Sequence, residues 1–336
     1  MNKKLITVAV AAGLALPMVS AQAAEVADKK LEVYGKLHAN FGSFNELGST
    51  NDNWRLQSYA SRLGFKGKQK LDDSFSATYK FEWQVDLTEN KSTVLEGRNM
   101  YAGLKGGFGE IRIGRHDSPL KMAQGKFDQF GDTDGDLKNA GDQDGENRNN
   151  NTITYLGKFG DFGFNAQIIP GEGDGQTTSS GGTGKGDGAA DATSVAISYK
   201  TGPLYLALAQ DSYDGTDNQD EKSLTRVVAT YKFSKMQLGA FFQTGVEKAQ
   251  AKSEKEDWAG LSFNMKMGKN NKLKAQYITV EDNASSALKG TQTSIGFDHK
   301  IGKKGTVYVM YNTLEEKNTA VTKDNSSFSV GYIVKF

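Results

Sequence analysis

The sequence predicts an all-β chain, a sixteen-stranded antiparallel transmembrane β-barrel preceded by an export signal. Three observations lead there. The chain lacks cysteine and has only 4 Pro against 39 Gly and 34 aromatic residues (3 Trp, 13 Tyr, 18 Phe). No apolar run after residue 23 approaches the 18 or so residues of a membrane helix. The dominant hydrophobic period beyond that point is two, over segments long enough for a tilted strand to cross hydrocarbon.

Residues 1–23 differ in kind from the rest. Lys3 and Lys4 precede an apolar stretch from Leu5 to Val19, and Ala21-Gln22-Ala23 gives a small-x-small cleavage pattern. The expected division is a cleaved secretory signal over 1–23 and a barrel domain over 24–336. Without Lys3 and Lys4 the 41 basic residues become 39 against 40 acids, a balance that implies no nucleic-acid partner. The missing cysteines also exclude thiol catalysis and cysteine metal sites. A polar chain in a membrane must be a closed barrel, because only helices and barrels satisfy every backbone group in hydrocarbon.

The alternation is clearest over residues 74–87. Phe75, Ala77, Tyr79, Phe81, Trp83, Val85 and Leu87 fall on one face, with Ser74, Ser76, Thr78, Lys80, Glu82, Gln84 and Asp86 on the other. The first strand sets Leu31, Val33, Leu37, Ala39 and Phe41 against Glu32, Tyr34, Lys36, His38 and Asn40, and the last strand ends on Phe336 with the same alternation. One face suits lipid and the other water. Expected strands cover 31–44, 54–67, 74–87, 97–105, 109–116, 151–159, 162–170, 192–200, 203–213, 222–233, 236–247, 258–267, 272–281, 290–300, 304–314 and 326–336. Their lengths of about 9 to 14 exceed the 5 or 6 of soluble strands.

Tight turns such as Gly160-Asp161, Thr201-Gly202 and Ser234-Lys235 alternate with long polar loops, the rhythm of an up-and-down membrane barrel. Trp54, Trp83 and Trp258 fall near the long-loop ends of their strands, and Tyr199, Tyr231 and Phe233 near the short turns, which predicts two aromatic levels at the membrane interfaces. The Gly-rich segment 171–191 reads as a mobile surface loop. The longest loop, Asp117 to Asn150, carries Asp117, Asp128, Asp132, Asp134, Asp136, Asp142, Asp144 and Glu146 against Lys121, Lys126, Lys138 and Arg148, a net −4. A structureless span of that length inside a compact fold points to function or disorder.

Asp132, Asp134 and Asp136 alternate like the start of a calcium loop. Leu137 stands where that motif needs glycine and Gln143 where it needs glutamate, so no metal is expected. His38, His116 and His299 match no nucleophile motif with a serine. No catalytic residue and no cofactor is expected, which disfavours an outer-membrane hydrolase.

Tyr34-Gly35-Lys36, Arg62-Leu63-Gly64-Phe65-Lys66-Gly67, Ala102-Gly103-Leu104-Lys105 and the terminal Phe336, in this order and spacing, resemble the general porins of Gram-negative outer membranes across essentially the whole chain after the signal. The resemblance implies a homotrimer of sixteen-stranded barrels in which the third loop folds into the lumen and narrows a water-filled channel for passive diffusion of small hydrophilic solutes and ions. It implies outer-membrane lipid and lipopolysaccharide as surroundings, and barrel-assembly machinery that recognises Phe336. It further implies a cationic constriction wall of Lys36, Arg62 and Arg98, with Arg148 at the loop's end.

The period-two reading independently places Lys36, Arg62 and Arg98 on polar strand faces, and Lys80 joins them by the same parity. Where the family commonly has Pro-Glu-Phe-Gly-Gly in the third loop, this chain has Asp128-Gln129-Phe130-Gly131-Asp132. Gln129 thus replaces the expected glutamate, Phe130 preserves the loop's identity, and Asp128 and Asp132 are both candidates to face the pore. The resemblance leaves a sugar- or anion-selective pore of the same fold as the alternative. It also implies that the loop 88–96 latches a neighbouring subunit, pairing Glu89 or Glu96 with Arg115 of that subunit.

Overall fold

The computed structural model describes residues 29–45, 53–89, 95–140, 144–171, 188–213, 221–248, 253–282, 289–317 and 322–336. The expected signal over 1–23 and most of the loop 171–191 lie outside the described residues, as does Asp142. In chain order the strands are β1 Lys29–Asn45, β2 Asn53–Ser58, β3 Ser61–Lys70, β4 Ser76–Val85, β5 Leu95–Gly106, β6 Gly109–Asp117, β7 Arg148–Phe159, β8 Phe162–Ile169 and β9 Ala192–Thr201. They continue as β10 Leu204–Tyr213, β11 Glu221–Phe233, β12 Met236–Lys248, β13 Ser253–Met267, β14 Asn271–Asp282, β15 Lys289–Ile301, β16 Gly305–Lys317 and β17 Thr322–Lys335. A short helix, α1 (Pro119–Ala123), and a 3₁₀ turn (Leu137–Asn139) lie between β6 and β7.

From β3 onward each strand pairs antiparallel with its sequence neighbour, and β1 pairs with β17 on one side and with β2 and β3 on the other, so the sheet closes on itself. The seventeen segments fill sixteen wall positions because β2 and β3 both pair with β1 as two halves of one strand. The expected uninterrupted second strand, 54–67, is therefore corrected to a broken one. The break sits at Ala60, which adopts φ +43°, and Ser61 repairs the ladder: its hydroxyl accepts from the His38 N–H at 2.9 Å and donates to the His38 carbonyl at 3.1 Å. Such a bulge re-aims the adjacent side chain. Here that side chain is Tyr59, whose hydroxyl reaches Asp134 of the long loop.

The outward face carries the apolar parity: Leu31, Val33, Leu37, Phe41, Ile197, Leu208, Leu261 and Val330 are all exposed, while His38, Asn40, Ser194, Gln276 and Ser329 on the opposite parity are buried. Aromatic pairs mark both ends of this belt, Phe41 with Trp54 at 5.2 Å near the long loops, and Phe162 with Tyr199 and Tyr231 with Phe233 at 4.9 and 5.0 Å near the short turns. Closure is completed by Phe336. Its N–H donates to Gly35 O at 3.2 Å, and its ring covers Gly35 so closely that a Cβ there would lie 2.2 Å from Cζ.

Trp258 corrects the expected aromatic level. It stands near the long-loop end of β13 but is 1% exposed and faces inward, whereas Trp54 is 61% exposed. Its inward position belongs to a wider departure from a purely polar inner face. Leu224, Val228, Phe241, Trp258, Ile278 and Val280 form an apolar patch inside the wall of β11 to β14.

Candidate functional site

The segment between β6 and β7 packs against that patch. Ser118 caps α1 by accepting from the Lys121 N–H at 3.1 Å, and Pro119 occupies the first turn, where no N–H is needed. The helix drives Leu120 into the wall; Leu120, Phe127, Leu137 and Ala140 of the segment are buried with the wall's apolar side chains. The Phe127 ring stacks on Phe241 at 5.2 Å. Phe130 is buried separately against Tyr308 and Met310, with Lys274 Nζ 4.5 Å above its ring. Gly260 and Gly296 make these seats: a Cβ on either would lie 2.9 Å from the Phe127 or Phe130 ring.

Burial would leave the segment's carbonyls without water, and each such group needs a donor. Four inward glutamines supply them. Gln237 donates to Lys126 O at 2.9 Å, Gln243 to Asp144 O at 2.9 Å, Gln276 to Gly135 O at 3.2 Å and Gln292 to Asp134 O at 3.1 Å. Gln129 extends this set, its N–H donating to Gln276 Oε1 at 2.9 Å while its Oε1 accepts from Asn264 at 2.9 Å. Trp258 Nε1 donates to Ala140 O at 3.3 Å, and Arg226, fully buried, bonds Glu146 at 2.7 Å and Leu120 O at 3.2 Å.

On the opposite side of the segment lie the wall cations. Asp132, in a left-handed conformation at φ +61°, bonds both Lys36 Nζ (2.6 Å) and Arg62. Arg98 Nε and Lys80 Nζ converge on Glu82 at 3.0 and 3.2 Å, and Glu82 also accepts from the Tyr34 hydroxyl at 2.8 Å. Lys36, Arg62, Lys80 and Arg98 thus share two carboxylates, one from the loop and one from the wall. Arg148 stands apart, at the segment's root, with Asp117 at 2.9 Å and Asn99 at 3.2 Å. It opens β7 and does not end the loop, because β6 and β7 pair one step further, Asp117 opposite Arg148.

Of the two candidate loop acids, Asp132 meets the wall cations and Asp128 does not. Asp128 is turned into the segment, accepting from the Phe130 N–H at 2.8 Å and the Leu137 N–H at 3.4 Å. Asp134 binds Tyr59 and Ser327, and Asp136 accepts from the Asp132 and Lys138 N–H groups, so the three alternating aspartates point to different partners. The histidine rings bond Tyr308 (His38), Arg112 and the Asp117 carbonyl (His116) and Asn271 (His299).

The electrostatics follow from burial. Burial raises the Asp132 carboxyl, but Arg62 and Lys36 outweigh it and hold the group well below the usual carboxylate range. Burial, then the neighbouring Asp136, pushes Asp128 up to about 8, against two backbone donors; burial raises Asp136 and, despite Arg226, Glu146 as well. A carboxyl raised in the docked state favours docking below the ordinary carboxylate pKa and loses that contribution as pH climbs toward the docked value. Acidification from pH 8 to 5 is therefore expected to tighten the segment. Hydrogen exchange over residues 126–138 should slow in that range, with a weaker pH dependence in Asp128→Asn; an unchanged dependence in the variant would assign the effect elsewhere.

Three features went unread in the sequence. Glu82 was visible on the polar face but not as the acid that gathers two cations. The inward glutamines share the parity of buried wall positions, and that parity was the available signal. The Ala60 break carries no glycine or proline to announce it.

The fold and this inner arrangement define a class: a closed sixteen-stranded membrane barrel with its longest loop seated on the inner wall. The chain belongs to the Gram-negative porin family, whose model matches residues 7–319, and the outer membrane is its place. The outer membrane porin protein OmpD of Citrobacter koseri is 36% identical over 123 residues, 34% of this chain and 32% of that protein. The major outer membrane protein P.IB of Neisseria gonorrhoeae is 29% identical over 115 residues, 32% of each chain. The matched region thus spans about a third of the length of these curated relatives. Among solved structures, an anion-selective porin from Comamonas acidovorans superimposes with a TM-score of 0.74 at 20% identity, covering 92% of this chain and 100% of that one. OmpT of Vibrio cholerae in its trimer form gives 0.70 at 15% identity over 92% of this chain and 100% of that one, a likeness of fold.

Proposed function

We propose that the chain forms a water-filled channel through which small hydrophilic solutes and ions diffuse passively, as a homotrimer in the outer membrane. The observation that carries this reading is the segment between β6 and β7, over residues 118–140 and 144–147, seated on the inner wall with Asp132 bonded to Lys36 and Arg62. A passage running past this cluster, in which four cations (Lys36, Arg62, Lys80 and Arg98) share two carboxylates (Asp132 and Glu82), meets a net positive field that sorts ions by sign, while the seated loop limits solutes by size.

In this reading the constriction consists of Lys36, Arg62, Lys80 and Arg98 with Asp132 and Glu82. Arg148 fixes the root of the loop, while Asp128, Gln129 and Phe130 hold it in place. Residues 1–23 act as the export signal, Phe336 is read by the assembly machinery, and lipid and lipopolysaccharide surround the apolar belt. The test is current through a planar bilayer to which detergent-purified protein is added. Stepwise openings in groups of three support the trimeric channel; a silent bilayer from heat-modifiable, folded protein contradicts it.

A further inference from the structure

One feature of the short-turn rim lies outside the constriction. Lys200, Lys232, Lys266, Lys300 and Lys335 recur at separations of 32, 34, 34 and 35 residues. They occupy one structural position. Each N–H donates to a carbonyl of the preceding turn: Lys200 to Asp161 (2.9 Å), Lys232 to Pro203 (3.1 Å), Lys266 to Lys235 (2.8 Å), Lys300 to Asn270 (2.8 Å) and Lys335 to Lys304 (2.9 Å). Each therefore ends every second strand from β9 to β17, and alternate strands stand about 10 Å apart around the wall.

Parity turns all five side chains toward the water of the mouth and away from lipid. Two residues earlier on the same strands stand inward groups: Thr230 and Ser198 on the buried parity, Asn264 bonded to Gln129 of the seated loop, Asp298 paired with Lys274, and Ile333 packed on the Phe130 cluster. The residues beside them, Tyr199, Tyr231 and Tyr332, lie on the outward parity. All five lysines are exposed, and none forms an ion pair with a described residue.

Most acids of this rim are engaged with other cations, Glu32 with Lys66, Asp73 with Lys70, and Asp298 with both Lys272 and Lys274, which leaves Asp72 and Asp161 in the turns against the five lysines. The turns add Lys235, Lys269, Lys303 and Lys304. At the long-loop end of the same strands, by contrast, lysines and acids interleave, Lys222 with Asp144 and Glu247, Lys255 with Asp257, and Lys289 with Glu281.

We propose that the short-turn mouth is a binding ring for soluble polyvalent anions, held by these hairpin lysines. Evenly spaced ammonium groups on flexible stems form no fitted pocket; they suit a ligand carrying several negative charges that engages two or three of them at once. The inward parity selects a solute in the mouth over a lipid headgroup on the outer belt. Binding weakens with salt, because exposed charges are screened over about 8 Å at physiological ionic strength.

The test uses inorganic tripolyphosphate with two readouts, calorimetric binding to the detergent-folded trimer and block of current when the anion is added to one side of a bilayer. Binding rests on the mouth alone, whereas block also requires the channel proposed above, so the failure of either is told apart. The expected result is salt-sensitive binding that falls about tenfold in K232Q/K266Q/K300Q, each exposed charge being worth a few-fold at most. The triple arginine variant should bind like the unaltered protein, K255Q at the other mouth should change nothing, and block should occur from one side only. Equal binding by the glutamine variant, equal block from both sides, or loss of binding in the arginine variant would overturn the proposal. Heat-modifiable migration checks that each variant is folded.

Discussion

Replacing Phe127 and Phe130 together by alanine is expected to release the inner loop while leaving the barrel closed. Both rings are fully buried, Phe127 against Phe241 and Phe130 against Tyr308 and Met310. Burial of each contributes about 2 kcal/mol, and a combined loss of about 4 kcal/mol lowers the docked-to-released ratio by roughly a thousandfold. The strand ladder touches neither ring through its own hydrogen bonds, so the variant should still show heat-modifiable migration. Its single-channel conductance should rise and its current should become noisier. Unchanged conductance in a folded double variant would mean that the loop does not set the width of the passage.

The second large effect concerns charge. Removing Arg62 and Arg98 leaves Asp132 with Lys36 alone and Glu82 with Lys80 and Tyr34. One charge about 5 Å from a passing ion in a water-like medium shifts its energy by about 0.8 kcal/mol. Two such charges shift a cation and an anion by about 1.7 kcal/mol each in opposite senses, which changes each permeability by roughly an order of magnitude and their ratio by roughly two, with salt screening reducing both. Arg62→Ala with Arg98→Ala is expected to move the reversal potential under a salt gradient toward cations, and Asp132→Asn, which leaves Lys36 and Arg62 uncompensated, to move it the opposite way. Reversal potentials that stay put in both variants would remove these residues from the ion path.

Much of this was legible in the chain. Alternation alone placed Lys36, Arg62, Lys80 and Arg98 on one face, and they do share two carboxylates, because a period of two forces every second side chain to the same side of the wall. The same rule carried a signal about Trp258 that its chemistry obscured. Tryptophan near a strand end suggests a membrane interface, yet Trp258 shares the parity of Ser262 and Asn264 and not that of Leu261 and Phe263, and it lies inside. Parity was the better guide than residue type.

What escaped the sequence depends on contacts between distant segments. The apolar inner patch exists only because Leu120, Phe127 and Leu137 cover it, and a strand read by itself gives no sign of that partner. Asp128 and Asp132 are the same residue type four positions apart. Their separate fates follow from the turn that presents one to Lys36 and Arg62 and folds the other onto the backbone N–H groups of Phe130 and Leu137. The Ala60 bulge arises from the way Ser61 replaces a ladder bond opposite His38, a pairing across 23 residues that local pattern cannot announce.

Passive diffusion through the barrel is tested most directly by the rate at which liposomes containing the purified protein swell in neutral sugars of increasing mass. Through an open channel the rates fall steadily with solute size and rise in proportion to concentration without saturating, and the size limit relaxes when Phe127 and Phe130 are alanine. Saturation by one sugar, or exclusion of all of them by folded protein, would contradict an open passage for unselected solutes.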